Sequence, residues 1–192
     1  MTVRQHFSVA PWTNTLKFIS LFSTVLLVGI GFVAYRKFCV FTGTPLIFGR
    51  AIISLFPAIL ILSLLFTVTG YVVEGDCLYI ERLLWSTRIS LTGLSKAWPD
   101  PNVCKGSLRI FGNGGLYSFT GIYQNKTLGR YRLFATDLAR SVVLVLPQSK
   151  IVITPAAPQV FVDYLHHQFP MIETNGEDGE TLSSEKDTPT RG

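Results

Sequence analysis

Tyr71-Val72-Val73-Glu74-Gly75-Asp76-Cys77-Leu78-Tyr79-Ile80-Glu81-Arg82-Leu83 is the stretch on which the reading of this chain turns. Tyr71-Val72-Val73 has the β-branched and aromatic character of a strand. Glu74-Gly75-Asp76 is a tight turn, and the segment from Cys77 to Leu83 returns as a second strand. Before this stretch the chain is apolar and free of acids. Beyond it, short strand-like segments alternate with turn residues, which predicts an all-β unit.

Downstream, Arg88-Ile89-Ser90-Leu91 alternates with Ile89 and Leu91 inward, and Leu108-Arg109-Ile110 alternates likewise. Gly112-Asn113-Gly114-Gly115 reads as a flexible turn. Residues 128–135 put Tyr131, Leu133 and Ala135 on one face and Arg130, Arg132 and Phe134 on the other. Residues 142–146 form a continuous apolar strand, and 150–154 form another that Pro155 stops. Pro158 then opens a helix over 159–168, with Phe161, Tyr164 and Leu165 on one face. Such a helix is expected to cover an open edge or end of the β unit. Residues 74–170 are expected to hold enough core to fold alone. From Glu173 the chain is polar and acidic, which predicts disorder over 173–192.

Upstream, the first 73 residues hold Arg4, Lys17, Arg36, Lys37 and Arg50 and no Asp or Glu, so the net charge of +5 resides there. Residues 18–35 and 51–73 are charge-free runs of 18 and 23 residues. Each is long enough to cross a bilayer as a helix. Thr44-Pro45 reads as the cap and first position of the second helix. Pro57 predicts a mild kink. Arg36-Lys37 directly after the first run, without a small-x-small site, argues against a cleaved signal. Gly29 and Gly31 with Ser20 and Ser23 offer a small-residue surface for helix packing. The expected organisation is a lead over 1–17, a transmembrane hairpin over 18–73 with helices at 18–35 and 46–70, and a β domain over 71–170.

The basic excess flanks apolar runs, which suits lipid headgroups and not nucleic acid. Cys39, Cys77 and Cys104 are odd in number and lack metal-ligand spacing. His166 and His167 are adjacent on a helix and point apart. Gly112 to Gly115 lacks the following helix and Lys-Ser/Thr pair of a phosphate loop. Asn125-Lys126-Thr127 matches a glycosylation acceptor but is read as a loop. No residue set suggests catalysis, a metal or a cofactor. Arg88, Arg109, Arg130 and Arg132 fall at outward strand positions, where they offer one patch to anionic lipid or an acidic protein.

Strands followed by one helix in about 100 residues resemble a pleckstrin-homology-like domain, and more specifically the bacterial PH domain families that follow membrane helices. The resemblance is carried by Tyr71 to Ile80, Leu108 to Gly115, Leu128 to Thr136, and Ile151-Val152-Ile153-Thr154-Pro155 with Phe161 and Leu165. It implies a bent sandwich or partly open barrel of seven or so strands capped by a helix, serving binding or assembly. PH domains that bind phosphoinositides use basic residues around the first hairpin loop. Here that loop is Glu74-Gly75-Asp76, whose two negative charges would repel a phosphate.

The expected function is a non-enzymatic, membrane-anchored interaction module that docks on a protein partner or the bilayer surface. Two alternatives stay open: a sensor holding a small molecule in its β domain, and an accessory subunit of a membrane complex acting through its helices. Expected partners are membrane lipid and another membrane or membrane-associated protein. Unpaired Cys77 and Cys104 favour placing the domain and both termini in the cytoplasm at an inner membrane. Basic residues do not decide this, with three in the hairpin loop against four or five on the other side.

Overall fold

β-Branched Val68, Thr69, Val72 and Val73, with Gly70, withdraw the end of the second apolar run from helix. The computed structural model describes residues 4–40 and 46–170. In it α1 spans Asn14–Val40 and α2 spans Leu46–Leu65, and the chain enters strand directly after α2. The second helix is therefore shorter than the expected 46–70, and the first begins before residue 18. Thr13 Oγ1 accepts from Leu16 N at 3.2 Å and caps α1. Thr44-Pro45 and the tail from Glu173 lie outside the described residues.

The segment Arg4–Ser8, expected to be a plain lead, is strand β1. It pairs antiparallel with β2 (Val68–Glu74), from Arg4 opposite Glu74 to Ser8 opposite Gly70. β3 (Cys77–Arg82) and β4 (Ser86–Ser90) complete a four-stranded sheet in the order β1-β2-β3-β4. A second sheet holds β5 (Lys96–Pro99), β6 (Leu108–Gly114), β7 (Phe119–Asn125), β8 (Gly129–Ala135), β9 (Val142–Leu146) and β10 (Ser149–Ile153). Its order is β5-β9-β10-β8-β7-β6, with only β10 and β8 parallel. The described residues thus hold ten strands where seven or so were expected. The surplus lies in β1 and in short pieces that the alternation pattern is too brief to reveal.

The apolar run of β9 is buried on both faces, as a central strand should be. Val142 and Leu144 join Tyr71, Leu78, Ile80, Phe134, Ile151 and Ile153 in the core between the sheets. Val143 faces Tyr131, Leu133 and Val152 in a smaller cluster behind the larger sheet. Phe134, expected outward with Arg130 and Arg132, is only 4% exposed, because the small sheet covers that end of β8. Helix α3 (Pro158–Gln168) packs along edge strand β5, and His166 Nε2 lies 3.2 Å from Ala97 O. Phe161 and Tyr164 of α3 meet Phe7 of β1 edge-on at centroid distances of 4.8 and 5.3 Å. The N-terminal strand is thereby fixed to the C-terminal helix.

Tyr71 ties the sheets together. Its hydroxyl donates to Phe134 O at 2.7 Å and accepts from Thr154 N at 3.1 Å, fully buried. Burial pushes its pKa up to about 12. The unfolded chain releases this proton near pH 10 and the folded one does not, so stability falls as pH rises from 10 toward 12, by about 3 kcal/mol. Tyr71→Phe is expected to lower stability at neutral pH by about 1–3 kcal/mol, since two buried backbone groups lose their partner. It should also remove that alkaline decline. Urea melts of both proteins at pH 7 and 11 check this; an unchanged alkaline slope in the variant would refute the assignment.

Candidate functional site

Helix α1 does not leave the domain freely. Leu16 is fully buried, and Ser20 Oγ donates to Gly115 O at 3.2 Å while accepting from Tyr117 N at 2.9 Å. Thr24 Oγ1 and the Tyr117 hydroxyl lie 2.9 Å apart. These bonds hold Tyr117 at φ 66°, a conformation that non-glycine residues seldom adopt. The β6–β7 tip is thus seated on the first turns of α1. Of the small residues expected to pack helices, Ser20 serves this junction and Gly31 faces Phe56 of α2, whereas Gly29 faces open space.

The Gly31–Phe56 contact also sets the level of the helices, which run in opposite senses. Leu65, the end of α2, is nine residues beyond Phe56. The same step back along α1 reaches Phe22, about 14 Å from Gly31. The stretch of α1 from Asn14 to Thr24, whose hydroxyl still meets Tyr117, therefore lies beside the domain, level with the last turn of α2 from Leu62. The remainder of both helices projects beyond it.

At that boundary lies a cleft of about 560 Å³, between Leu62, Ser63 and Phe66 at the end of α2 and the faces of β6, β7 and β8. Three arginines line it, Arg82, Arg109 and Arg132, and among the described residues no Asp or Glu does. Arg82 ends β3. One of its terminal nitrogens donates to Phe66 O at 3.1 Å, and its guanidinium lies 5.1 to 5.8 Å from the ring centroids of Phe66, Trp85 and Phe134. Its Nε is buried and has no hydrogen-bond partner among the described residues. Burial, and then the charge of Arg132, lower the Arg82 pKa. Arg132 stacks over Phe134 at 5.2 Å. Arg109 folds over Gly114, in space that a side chain there would fill.

Of the four arginines expected to form a patch, Arg132 alone turns its side chain to this cleft; Arg109 borders it, but pairs with Tyr123 and lies against Gly114 on the other face of the sheet. Arg130 lies one pleat further along β8 and does not line it. Arg88 belongs to the other sheet, where its Nε donates to Cys77 Sγ at 3.1 Å. Arg82 escaped the sequence reading. Its signal is a cation directly before the apolar loop Leu83-Leu84-Trp85.

Leu108-Arg109-Ile110 was expected to have an inward face. Instead β6 is a sheet edge whose pleat is broken by a register shift between Arg109 and Phe111. Leu108 and Phe111 are 76% and 74% exposed. Gly112 to Gly114, expected in a turn, continue β6, and the turn is made by residues 115–118.

The other candidate positions serve structure. Cys104 is half-buried, 3.7 Å from Ser141 Oγ, and burial raises its pKa toward the unreactive thiol. Asn125 turns its amide inward, donating to Val103 O at 2.7 Å and Ser107 Oγ at 3.1 Å, and so withdraws the nitrogen a glycan would need. Among the described residues no group of three or more His, Cys, Asp or Glu is placed to hold a metal.

Helix α1 is long and apolar enough to cross a membrane over Asn14–Lys37, whereas the apolar part of α2 counted the same way is the shorter Ile53–Leu65. Among the described residues the expected two-helix span is thus met in full by one helix. No curated protein and no solved structure matches the chain. The family model for the bacterial PH domain matches residues 69–168, just over half of the 192 residues. The match opens in β2 and closes at the end of α3, the unit that the two sheets and helix delimit, and on it the chain belongs to the bacterial PH domain family.

Proposed function

We propose that this protein is a non-enzymatic interaction module, held on a bilayer by α1 and α2 as a two-helix hairpin and docking its PH domain on the adjacent membrane surface. The observation that carries this reading is the pairing of β1 with β2. β1 leads into α1 and β2 leads out of α2, so the hairpin is rooted at one place in the domain. Beyond that root the helices present Val25, Val28, Phe32, Val33, Leu55 and Ile61 outward. A water-facing surface of this kind is costly and a lipid-facing one is not. Leu46–Leu65 carries Arg50 as its single charge, near the end away from the domain. At 20 residues, about 30 Å, it matches the hydrocarbon thickness. The exposed edge of β6 supports a second contact, with a protein partner, through Leu108, Ile110 and Phe111.

The domain and both termini are placed in the cytoplasm of an inner membrane, where Cys77 and Cys104 stay reduced. The test uses full-length protein with Cys39, Cys77 and Cys104 replaced by Ser and with Glu185→Cys. It is expected to stay in the membrane through high-salt and alkaline washing, because ionic stripping does not release apolar spans. Position 185 should resist an impermeant maleimide in intact cells and react after lysis. Release on washing would overturn the anchoring, and labelling of intact cells would reverse the orientation.

A further inference from the structure

We propose that the outer face of the large sheet carries a binding site for a small aromatic carboxylate, in a pocket of about 370 Å³ between β6, β7, β8 and the loop that precedes β6. Arg109 and Ser107 hold the carboxylate, and the ring packs on Phe119, Tyr123 and Leu133. This goes beyond the docking function. The pocket lies within the PH domain, on the face of the sheet turned away from Arg132, and it takes a soluble molecule.

The register builds the pocket. Arg109 pairs with Tyr123 and Tyr123 with Tyr131, so the three side chains share one face of the sheet. On the same face Gly114 stands opposite Phe119. Gly114 has no side chain, and the Arg109 guanidinium lies over it at the wall of the pocket. Cys104 and Ser107, from the loop that Asn125 holds against this face, form the other wall, and Leu138 closes one side.

The polar groups set the ligand's charge. Ser107 Oγ accepts from the Tyr131 hydroxyl at 2.7 Å and from Asn125 Nδ2 at 3.1 Å. Both of its lone pairs are thereby used, and its own proton is left to donate. Tyr123 spends its proton on Asn113 O at 2.9 Å. Burial raises the pKa of both phenols, so neither sets a negative charge beside the ligand. Among the described residues no Asp or Glu lines the pocket, and Asp100, on the covering loop, accepts from Asn102 N at 2.8 Å. The Ser107 hydroxyl and the Arg109 guanidinium therefore await an acceptor, and a guanidinium fork matches a carboxylate.

The walls set the ligand's body. Tyr123 and Tyr131 stack at a centroid distance of 6.2 Å, and Phe119, Leu133 and Leu138 extend their apolar surface. Aromatic rings pack well on such a surface. Tyr131 and Leu133 are 2% and 1% exposed, so the floor is fixed by the core beneath it. The volume stands at the lower end of the range of about 300–1,000 Å³ for small-ligand sites. It suits a single ring with a short acidic arm and is too small for a lipid.

Titration of the full-length protein in detergent micelles with para-fluorophenylacetate, read from the probe's fluorine NMR line against empty micelles, tests the proposal. Saturable binding of one molecule per chain is expected. The uncharged para-fluorophenylacetamide should bind at least about tenfold more weakly, as expected for losing a charge-assisted pairing. R109Q should weaken the acid about tenfold and leave the amide unchanged. The Arg109 side chain is exposed, so folding should be untouched, and melting temperature verifies this. R130Q removes an exposed cation from the opposite face of β8 and should bind the acid as the parent does.

Absence of saturable binding at millimolar probe, equal affinity for acid and amide, or equal losses in R109Q and R130Q would overturn the proposal. Acetate binding as tightly as the aryl acid would do the same, since the rings would then contribute nothing. The site and the anchoring are tested separately: release on washing leaves the pocket standing, and a pocket that fails leaves the anchoring untouched.

Discussion

Residues 74–170 expressed alone are expected to stay unfolded, whereas residues 1–11 joined by a flexible Gly/Ser linker to 67–170 should form a cooperative, soluble β protein. The shorter piece contains most of the alternating segments, and on sequence grounds it should suffice. The sheet register says otherwise. It lacks β2, so the four-stranded sheet shrinks to β3 and β4, and a lone two-stranded ribbon is marginal in water. Val68, Tyr71 and Val73 leave the main core with it, all at most 1% exposed. Deleting three such side chains costs about 6 kcal/mol or more. That consumes most of a small domain's net stability of about 5–15 kcal/mol. Loss of β1 then uncovers Phe161 and Tyr164 of α3 where Phe7 had covered them. It also leaves Thr136 Oγ1 without Ala10 O, which it meets at 2.6 Å. The linked protein keeps all of these and omits only the helices. Far-UV circular dichroism with urea melts distinguishes the two. A cooperative transition in 74–170 within about 1 kcal/mol of the linked protein would show that β1 and β2 are dispensable.

The reason this was not legible in the sequence is specific. β1 reads Arg-Gln-His-Phe-Ser, with a single large apolar residue and no turn signal, because it is an edge strand whose Phe7 alone reaches the core. Its partner β2 was legible only from Tyr71, since Val68 to Gly70 continue the apolar run of α2 without a break. The pairing spans the whole helical hairpin, and local periodicity carries no information about contacts that distant. By contrast β3, β9, β10 and α3 were visible from their apolar patterns, and β8 was visible up to Phe134. Leu133, Val143, Ile151, Phe161 and Leu165 are all buried.

The cleft was half legible. Arg109 and Arg132 stand out because outward cations on strands are easy to read. What the sequence conceals is which of them meet. Arg88 sits at an equally outward position but in the other sheet. Arg130 is on the right strand but one pleat away. Arg82 joins from a third strand because β3 ends beside Phe66, a neighbour made by the helix-to-strand transition. Which cations meet is a property of the register: Arg109 pairs with Tyr123 and so faces away from Arg132.

Gly121→Val is expected to cost about 3 kcal/mol or more and to detach β6 from the sheet, although valine normally favours strands. Gly112 and Gly121 face each other across β6 and β7, at φ 112° and 144°. A Cβ on Gly121 would run into Phe111 O and lie 2.8 Å from Gly112 Cα. One on Gly112 would run into Thr120 O. Both obstacles are backbone, so no side-chain rotation relieves them, and the strands must part. Gly129→Ala supplies the control. Gly129 also has positive φ, 69°, but nothing lies within 4 Å of an added Cβ. Only the conformational cost of about 1–2 kcal/mol remains there. Urea melts on the two full-length variants give the answer. If Gly121→Val is no less stable than Gly129→Ala, the close approach of β6 and β7 is not what holds the edge strand.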